Sequence, residues 1–87
     1  MKTIYKYKLQ SLSGQRVDIP RNAHFLSVQE QHGEPVMWWL VDTDYPPEAH
    51  RFAIYGTGHY MPDSPGAYLG TFQVRDGELV FHLFEVT

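Results

Sequence analysis

Six consecutive apolar residues, Val36 to Val41, limit more than any other feature what this chain can fold into. A run of strand length that is apolar at every position is typical of a strand buried on both faces, so we expect it at the centre of a sheet. Successive side chains of a strand point to opposite faces, and Trp38 and Trp39 must therefore point apart. We expect one tryptophan to be the main packing residue of the core. The other either lies under a loop or, as a functional side chain, stacks a planar ligand or anchors a partner; Trp38 is our candidate for that role.

The rest of the chain alternates between apolar and polar residues in short runs, and turn-forming residues separate these runs. Alternation of period two indicates strands, and no segment has the apolar spacing of an amphipathic helix. About seven short strands in 87 residues predict a small all-β domain, an antiparallel sandwich or barrel, that occupies residues 1–87 as one unit. The expected strands cover residues 3–9, 15–19, 24–31, 36–42, 50–55, 67–75 and 78–86.

Turn residues predict how neighbouring strands are joined. Asp76-Gly77 favours a type I′ turn, so the last two strands should form a hairpin. The segment 32–35 predicts a second hairpin, and residues 11–14 predict a turn after the first strand. The last strand is also nearly apolar throughout, which places it near the middle of a sheet or at a contact between subunits. Two such strands in so small a chain lead us to expect a homodimer.

Strict alternation also assigns side chains to the two faces of each strand. In the third strand it places Phe25 with Ser27 on one face, and Leu26 with Val28 on the other. The sixth strand is expected to have one face formed by Tyr68, Gly70, Phe72 and Val74, with Leu69, Thr71 and Gln73 on the opposite face.

The charge balance argues against one class of function. A net charge of −3, with charged residues at only 20%, does not favour general binding of nucleic acid through its phosphates. Lys2, Lys6 and Lys8 share one face of the first strand, where they either form a local basic strip or protect an exposed strand edge from aggregation.

Composition bounds the location and the metal chemistry. The chain has no cysteine, which excludes disulfides and thiolate metal sites and fits a reducing compartment. No apolar run reaches the length of a signal peptide or a transmembrane segment, so we expect no membrane partner and a cytoplasmic location. The carboxylates of segment 42–48 lack the glycine and the ligand spacing of a calcium loop, and no metal site is predicted there.

The best candidate for a binding site follows the fifth strand, where two glycines bracket Thr57. Glycines at such positions let another backbone or a ligand come close, and two converging N–H groups can bind an anion. The alternative is that they only turn the chain at the end of a strand. For a nucleotide-type ligand, an aromatic ring would stack the base, while amides, imidazole and guanidinium would hold phosphate. The predicted ligand-binding residues are Trp38, Arg51, Tyr55, Gly56, Thr57, Gly58, His59 and Tyr60.

The sequence lacks the usual signs of an enzyme. It has no Gly-x-Ser-x-Gly motif and no thiol, and no histidines are spaced as His-x-His or His-x-x-x-His. His59 and His82 are the two histidines that we would test as partners in a zinc site. His82 lies on a largely apolar strand, where a hydrogen-bonded structural role is commoner. We therefore expect a protein with neither catalytic activity nor a cofactor.

Six ordered blocks of the chain are Ile4-Tyr5-Lys6-Tyr7, Leu26-Ser27-Val28-Gln29, Trp39-Leu40-Val41-Asp42, Tyr55-Gly56-Thr57-Gly58-His59, Tyr68-Leu69-Gly70-Thr71, and Leu79-Val80-Phe81-His82 followed by Phe84-Glu85. Together they resemble a small protein family of unknown function that is encoded in tailed-phage and prophage genomes. The chain departs from that pattern at Met37-Trp38, where a smaller pair is usual, which leaves the role of Trp38 open. The resemblance implies an intracellular protein made in the cytoplasm of a host cell. It provides no catalytic residues to transfer.

Three functions from different classes fit these observations. The first is a phage accessory protein that binds and inhibits a host protein, of antiviral defence or of metabolism, through an exposed aromatic patch rimmed by polar residues. The second is a nucleotide-binding protein that sequesters an immune second messenger in a concave site. The third is a structural or assembly component of the virion.

Overall fold

The computed structural model describes residues 1–10 and 14–86. Within these residues the chain forms seven strands and no helix, which confirms the predicted all-β fold. The turn predicted over residues 11–14 falls largely on 11–13, outside the described residues. The described part of the chain contains no helix with the length and hydropathy needed to cross a membrane. The strands are β1 (Lys2–Lys8), β2 (Gln15–Pro20), β3 (His24–Gln31), β4 (Glu34–Asp42), β5 (Pro47–Gly56), β6 (Ala67–Val74) and β7 (Leu79–Val86).

The strands form two antiparallel sheets that pack as a sandwich. The three-stranded sheet has the order β1-β4-β3, and the four-stranded sheet has the order β2-β5-β7-β6. The two strands with nearly unbroken apolar runs, β4 and β7, each have a neighbour on both sides, as predicted. This position explains their composition in part: one face of each strand lies in the core, and on the outer face the neighbouring strands leave side chains such as Trp38 and Phe84 half-buried.

The core lies between the sheets and is built around Trp39. The indole ring is only 3% exposed. Its centroid lies 5.4 Å from that of Phe25 and 6.0 Å from that of Phe52, both in edge-to-face arrangements that aromatic rings favour. Trp38 lies on the opposite face of β4 and is half-buried, so the two tryptophans do point apart. The buried residues that pack together are Leu9, Ile19, Val28, Met37, Trp39, Val41, Phe52, Ile54, Phe72 and Leu83.

Two of the predicted face assignments are wrong because β3 and β6 each contain a bulge. The pairing register shifts between Phe25 and Ser27 in β3, and between Tyr68 and Gly70 in β6. One extra residue in a strand reverses the alternation beyond it. As a result, Phe25 packs against the core on the same side as Val28. Tyr68 is 58% exposed on the outer side, whereas Gly70 pairs with the buried Leu83.

The bulged strands are also where the two sheets come closest. β3 and β6 face each other across the sandwich. A Cβ atom placed on Gly70 would lie 2.8 Å from the Cγ1 atom of Val28, closer than side chains normally approach. Gly70 is therefore required by the close packing of the two sheets rather than by an unusual backbone angle.

The hairpins occur where they were predicted, but both loops differ in length: the first is shorter than the predicted segment 32–35, because Glu34 and Pro35 belong to β4, and the second is longer. Between β3 and β4 the loop consists of His32 and Gly33, with φ angles of 54° and 84°. Two residues of positive φ are typical of a type I′ turn. Between β6 and β7 the loop covers the four residues 75–78 rather than Asp76-Gly77 alone, since Arg75 also has a positive φ of 54° and the strands end at Val74 and Leu79.

Candidate functional site

The outer face of the four-stranded sheet brings together side chains from β5, β6 and β7. Directly paired residues of antiparallel strands share a face. Tyr55 pairs with His82, and His82 pairs with Thr71, so these three form one row across the sheet. Phe84 pairs with Tyr68 in the neighbouring row. The residues between them in sequence, such as Leu83, point into the core, and both rows therefore face outward.

Three aromatic rings form a continuous cluster on this face. Phe84 lies in the middle, with its ring centroid 5.8 Å from that of Tyr55 and 5.5 Å from that of Tyr68. Tyr55 and Phe84 are half-buried, while Tyr68 is largely exposed. Val86, also exposed, continues the apolar surface along β7. We call Tyr55, Tyr68, Phe84 and Val86 the aromatic face.

A chain of hydrogen bonds borders the aromatic face. The Nε2 atom of His82 lies 2.7 Å from the Oγ1 atom of Thr57, and its Nδ1 atom lies 2.9 Å from the Oγ1 atom of Thr71. The Oη atom of Tyr68 lies 2.5 Å from the Thr71 hydroxyl, and the Thr57 hydroxyl lies 3.4 Å from the carbonyl oxygen of Val80.

One assignment of donors satisfies every group in this chain. If Tyr68 donates to Thr71, Thr71 to Nδ1 of His82, Nε2–H to Thr57 and Thr57 to the carbonyl, every group is satisfied. In this arrangement Nε2 of His82 donates a hydrogen bond and Nδ1 accepts one. The side chain of His82 is thus held by two threonines rather than by a carboxylate.

The glycine-bracketed loop after β5 is exposed, but two of its amides are engaged within the protein. The N–H group of Thr57 donates to the carbonyl oxygen of Val80 at 3.1 Å, and the N–H group of His59 donates to that of Gly56 at 3.1 Å. Gly58 has a φ of 85°, a value that glycine adopts without strain. Of the Gly56, Thr57 and Gly58 amides that were candidates for binding an anion, that of Thr57 therefore already has a partner.

His59 folds back against the end of β5. A Cβ atom on Gly56 would lie 2.7 Å from two atoms of the imidazole ring, so the ring occupies the space that only glycine leaves open. Beside it is an open hollow of about 330 Å³, lined in part by Leu79 and Phe81. Tyr60, the next residue, is fully exposed and projects from the loop.

The structure places the predicted site residues in three locations. Arg51 and Tyr55 lie on the outer face of the four-stranded sheet, and residues 56–60 lie at its end. Trp38 lies on the outer face of the three-stranded sheet, between Lys6 and Ser27, on the other side of the sandwich. A ligand held by the loop therefore cannot stack on Trp38 of the same chain.

Arg51 lies at the margin of the aromatic face. It is directly opposite Arg16 in the register of β2 and β5, and like charges in that position are unfavourable. The Nε atom of Arg16 lies 3.1 Å from the Oδ1 atom of Asp18, which offsets its charge. Arg51 forms no ion pair with any described residue.

Sequence reasoning missed Tyr68, Phe84 and Thr71 as parts of this surface. The bulge in β6 hid Tyr68, because strict alternation assigned it to the same face as Gly70. Phe84 was recognisable as facing away from Leu83, yet its contact with Tyr55 depends on which strands pair. No local pattern reports that pairing. Among the described residues, no group of three or more His, Asp or Glu side chains is arranged to hold a metal ion.

One comparison with known proteins identifies a family. The model of a family described as a domain of unknown function, DUF7352, matches residues 1–87. The chain belongs to this family. No curated protein and no solved structure matches it. Membership covers the whole chain, and the family's description assigns no activity.

Proposed function

We propose that this DUF7352 protein is a non-enzymatic binding protein that covers a surface of a partner protein through its aromatic face. The observation that carries the proposal is the contiguous cluster of Tyr55, Phe84 and Tyr68 on the outer face of the four-stranded sheet. Tyrosine, tryptophan and arginine are the residues that most often dominate binding energy in protein interfaces. Contiguous apolar surface rimmed by polar residues is a common feature of protein interaction sites.

The hydrogen-bond chain around His82 supports the same conclusion. Its imidazole and the adjoining hydroxyls already bond to one another, so covering them leaves few polar groups without partners. Desolvation of unpaired polar groups is one of the main terms that oppose association. The aromatic face and its border can therefore be covered by a protein surface at a small polar penalty.

Arg51 gives the partner a chemical preference. Its guanidinium is exposed at the edge of the aromatic face, beside a second arginine and without an ion pair among the described residues. An Asp or Glu side chain at the rim of the partner would offset that charge and could bond it in a bidentate way. We infer a partner with an apolar centre and an acidic margin.

The phage origin implied by the sequence blocks suggests where that partner is found. We propose a host protein in the cytoplasm of the infected cell, inhibited when the aromatic face covers it. The alternative of a nucleotide-binding protein has less support, because Thr57 and His59 already donate their amides within the protein. The third hypothesis is a component of the virion.

The experiment is affinity purification of a host protein followed by measurement of its Kd. We expect Tyr68→Ser and Phe84→Ser each to weaken binding of the purified partner by about fivefold or more, since a central interface residue contributes over about 1 kcal/mol. Tyr45→Ser is the matched control, because Tyr45 is 44% exposed on the loop between β4 and β5. It should bind like the wild type.

Two results would refute the proposal. One is a partner whose Kd is the same for Tyr68→Ser and for Tyr45→Ser. The other is the absence of a protein partner together with a rise in melting temperature on adding cyclic or linear nucleotides, because a ligand that binds the folded state raises that temperature by mass action.

A further inference from the structure

β1 is an edge strand of the three-stranded sheet, and its backbone has one unpaired side. Among residues 1–10 and 14–86, it pairs only with β4. The N–H of Leu9 donates to the carbonyl of Pro35, and the N–H of Thr43 donates to the carbonyl of Met1, at 3.0 and 2.9 Å. Both pairs continue the register of β1 with β4, so odd-numbered residues of β1 point their N–H and C=O groups toward β4. The even-numbered residues point theirs toward the open edge.

The residues with free backbone groups are also the ones that carry the lysines. The side chains of Lys2, Lys6 and Lys8 face outward on this sheet, together with Ile4, which is 56% exposed. Lys8 pairs with Glu34 at 2.9 Å. Neither Lys2 nor Lys6 forms an ion pair with a described residue. Lys2 lies opposite Asp42, where a backbone hydrogen bond, helped by the charge of Lys2, lowers the pKa of the carboxyl. Lys6 therefore carries the least offset positive charge beside the open edge, in a chain whose net charge is −3.

Lys6 is held in place over the sheet by a polar residue rather than by a carboxylate. Its Nζ atom lies 2.8 Å from the Oε1 atom of Gln31, which is on β3, beyond the central strand. The carboxamide is a neutral acceptor, so the ammonium charge is not offset. Lys6 is therefore positioned yet still available to an anion.

The lysines of β1 determine which kind of strand can pair with its open edge. If β1 of a second copy paired antiparallel with this edge, lysine would lie beside lysine, and like charges opposite one another are unfavourable. A strand with acidic residues at alternate positions has the complementary pattern, because a period of two is the spacing of side chains on one face of a strand.

We propose that the open edge of β1 binds an extended acidic segment of a partner protein as an additional strand. The segment's outward residues would be acidic beside Lys2, Lys6 and Lys8 and apolar beside Ile4. Main-chain hydrogen bonds supply affinity in such strand addition, and the side-chain pairs supply selectivity. This surface lies on the opposite sheet from the aromatic face, so the inference does not depend on the function proposed above.

The probe is the labelled peptide Glu-Thr-Glu-Thr-Val-Thr-Glu, with blocked ends, which matches β1 when it runs antiparallel to it. Fluorescence anisotropy should detect binding below about 1 mM, and replacing each Glu by Gln should weaken it about tenfold or more. Binding of the acidic peptide should also weaken as salt rises, since these charges are exposed. No binding of the acidic peptide, or equal binding of both peptides, would overturn the proposal.

Variants of β1 distinguish the contribution of its side chains to peptide binding from that of its backbone. Lys6→Gln should weaken the acidic peptide about two- to fivefold, as expected for an exposed charge pair, whereas Arg75→Gln, which removes the same charge from the β6–β7 loop, should have no effect. Lys6→Glu should reduce the preference for Glu over Gln peptide. Equal effects of Lys6→Gln and Arg75→Gln would show a response to net charge alone and overturn the site.

Ile4→Pro tests the backbone edge. The N–H of Ile4 faces the open side, so proline there leaves the ladder with β4 intact, and edge positions tolerate proline for this reason. It should abolish peptide binding, while Ile4→Ala retains binding within about threefold. Circular dichroism checks that both variants are folded.

If Ile4→Pro does not fold, amide hydrogen exchange of the wild-type protein tests the edge instead. The peptide must then protect the amides of Lys6 and Lys8. Strand addition would be overturned by unchanged peptide binding to folded Ile4→Pro or by a lack of amide protection. It would also be overturned if a short oligothymidylate bound more tightly than the peptide.

Discussion

The two adjacent tryptophans should respond very differently to the same substitution. Trp39 is 3% exposed and contacts the rings of Phe25, His50 and Phe52, with centroid distances from 5.4 Å to 6.0 Å. Truncating such a residue leaves a large cavity, and Trp39→Ala should lower the free energy of unfolding by about 3–5 kcal/mol. Trp38 is half-buried on the outer face of β4, so Trp38→Ala leaves no enclosed cavity and should cost about 1–2 kcal/mol.

Urea denaturation followed by circular dichroism measures both values. A chain of this size has a total stability of roughly 4–13 kcal/mol, so Trp39→Ala can be largely unfolded in water. The milder pair Trp39→Phe and Trp38→Phe then gives the same ranking. Each of these two variants keeps one tryptophan, and acrylamide should quench the fluorescence of Trp38 more than that of Trp39. Equal losses of stability, or the reverse order of quenching, would refute the assignment of Trp39 to the core and Trp38 to the outer face.

Three further predictions concern packing and charge elsewhere in the sandwich. Gly70→Ala places a methyl group 2.8 Å from the Cγ1 atom of Val28 and should lower the free energy of unfolding by about 1–3 kcal/mol. In a Val28→Ala background this loss of stability should be smaller. An equal loss in both backgrounds would contradict the close approach of β3 and β6. His50 is mostly buried, and its Nδ1 atom lies 2.7 Å from the Oε2 atom of Glu85. In urea titrations, Glu85→Leu should therefore destabilise the fold by about 1–3 kcal/mol and Glu85→Gln by less. Equal effects of the two variants would contradict that hydrogen bond. A hydrogen bond from the backbone N–H of Asp44, aided by the Met1 amino group, lowers the pKa of Asp42. The charged carboxylate therefore stabilises the fold above the usual carboxyl pKa, and the loss of stability in Asp42→Asn should disappear as the pH falls through the lowered pKa. A loss of stability that grows in acid would contradict this.

Most of the secondary structure follows from local patterns in the sequence. Alternation and turn residues located all seven strands, and the apolar runs of β4 and β7 predicted their central positions. These features can be predicted locally because the solvent exposure of each strand determines which of its own residues are apolar and which are polar. The start of β5 at Pro47, ahead of the predicted His50, depends instead on pairing with β2, which no local pattern reports.

The candidate site was less accessible from sequence, for two physical reasons. The bulges at Phe25/Ser27 and Tyr68/Gly70 change the parity of a strand without a distinctive residue type, and the second one concealed Tyr68. The grouping of Tyr55 with Phe84 depends on a pairing between distant segments. Alternation showed that the tryptophans point apart, but not that Trp38 lies on the sheet opposite the predicted loop site.

The most direct test of the aromatic face is a footprint of the bound partner. Once a partner protein has been purified, cross-saturation NMR on the labelled chain reports which side chains it covers. The proposed function predicts the strongest effects at Tyr55, Tyr68 and Phe84, with weak effects at Trp38. Strong effects confined to residues 56–60, or to the outer face of the three-stranded sheet, would contradict it.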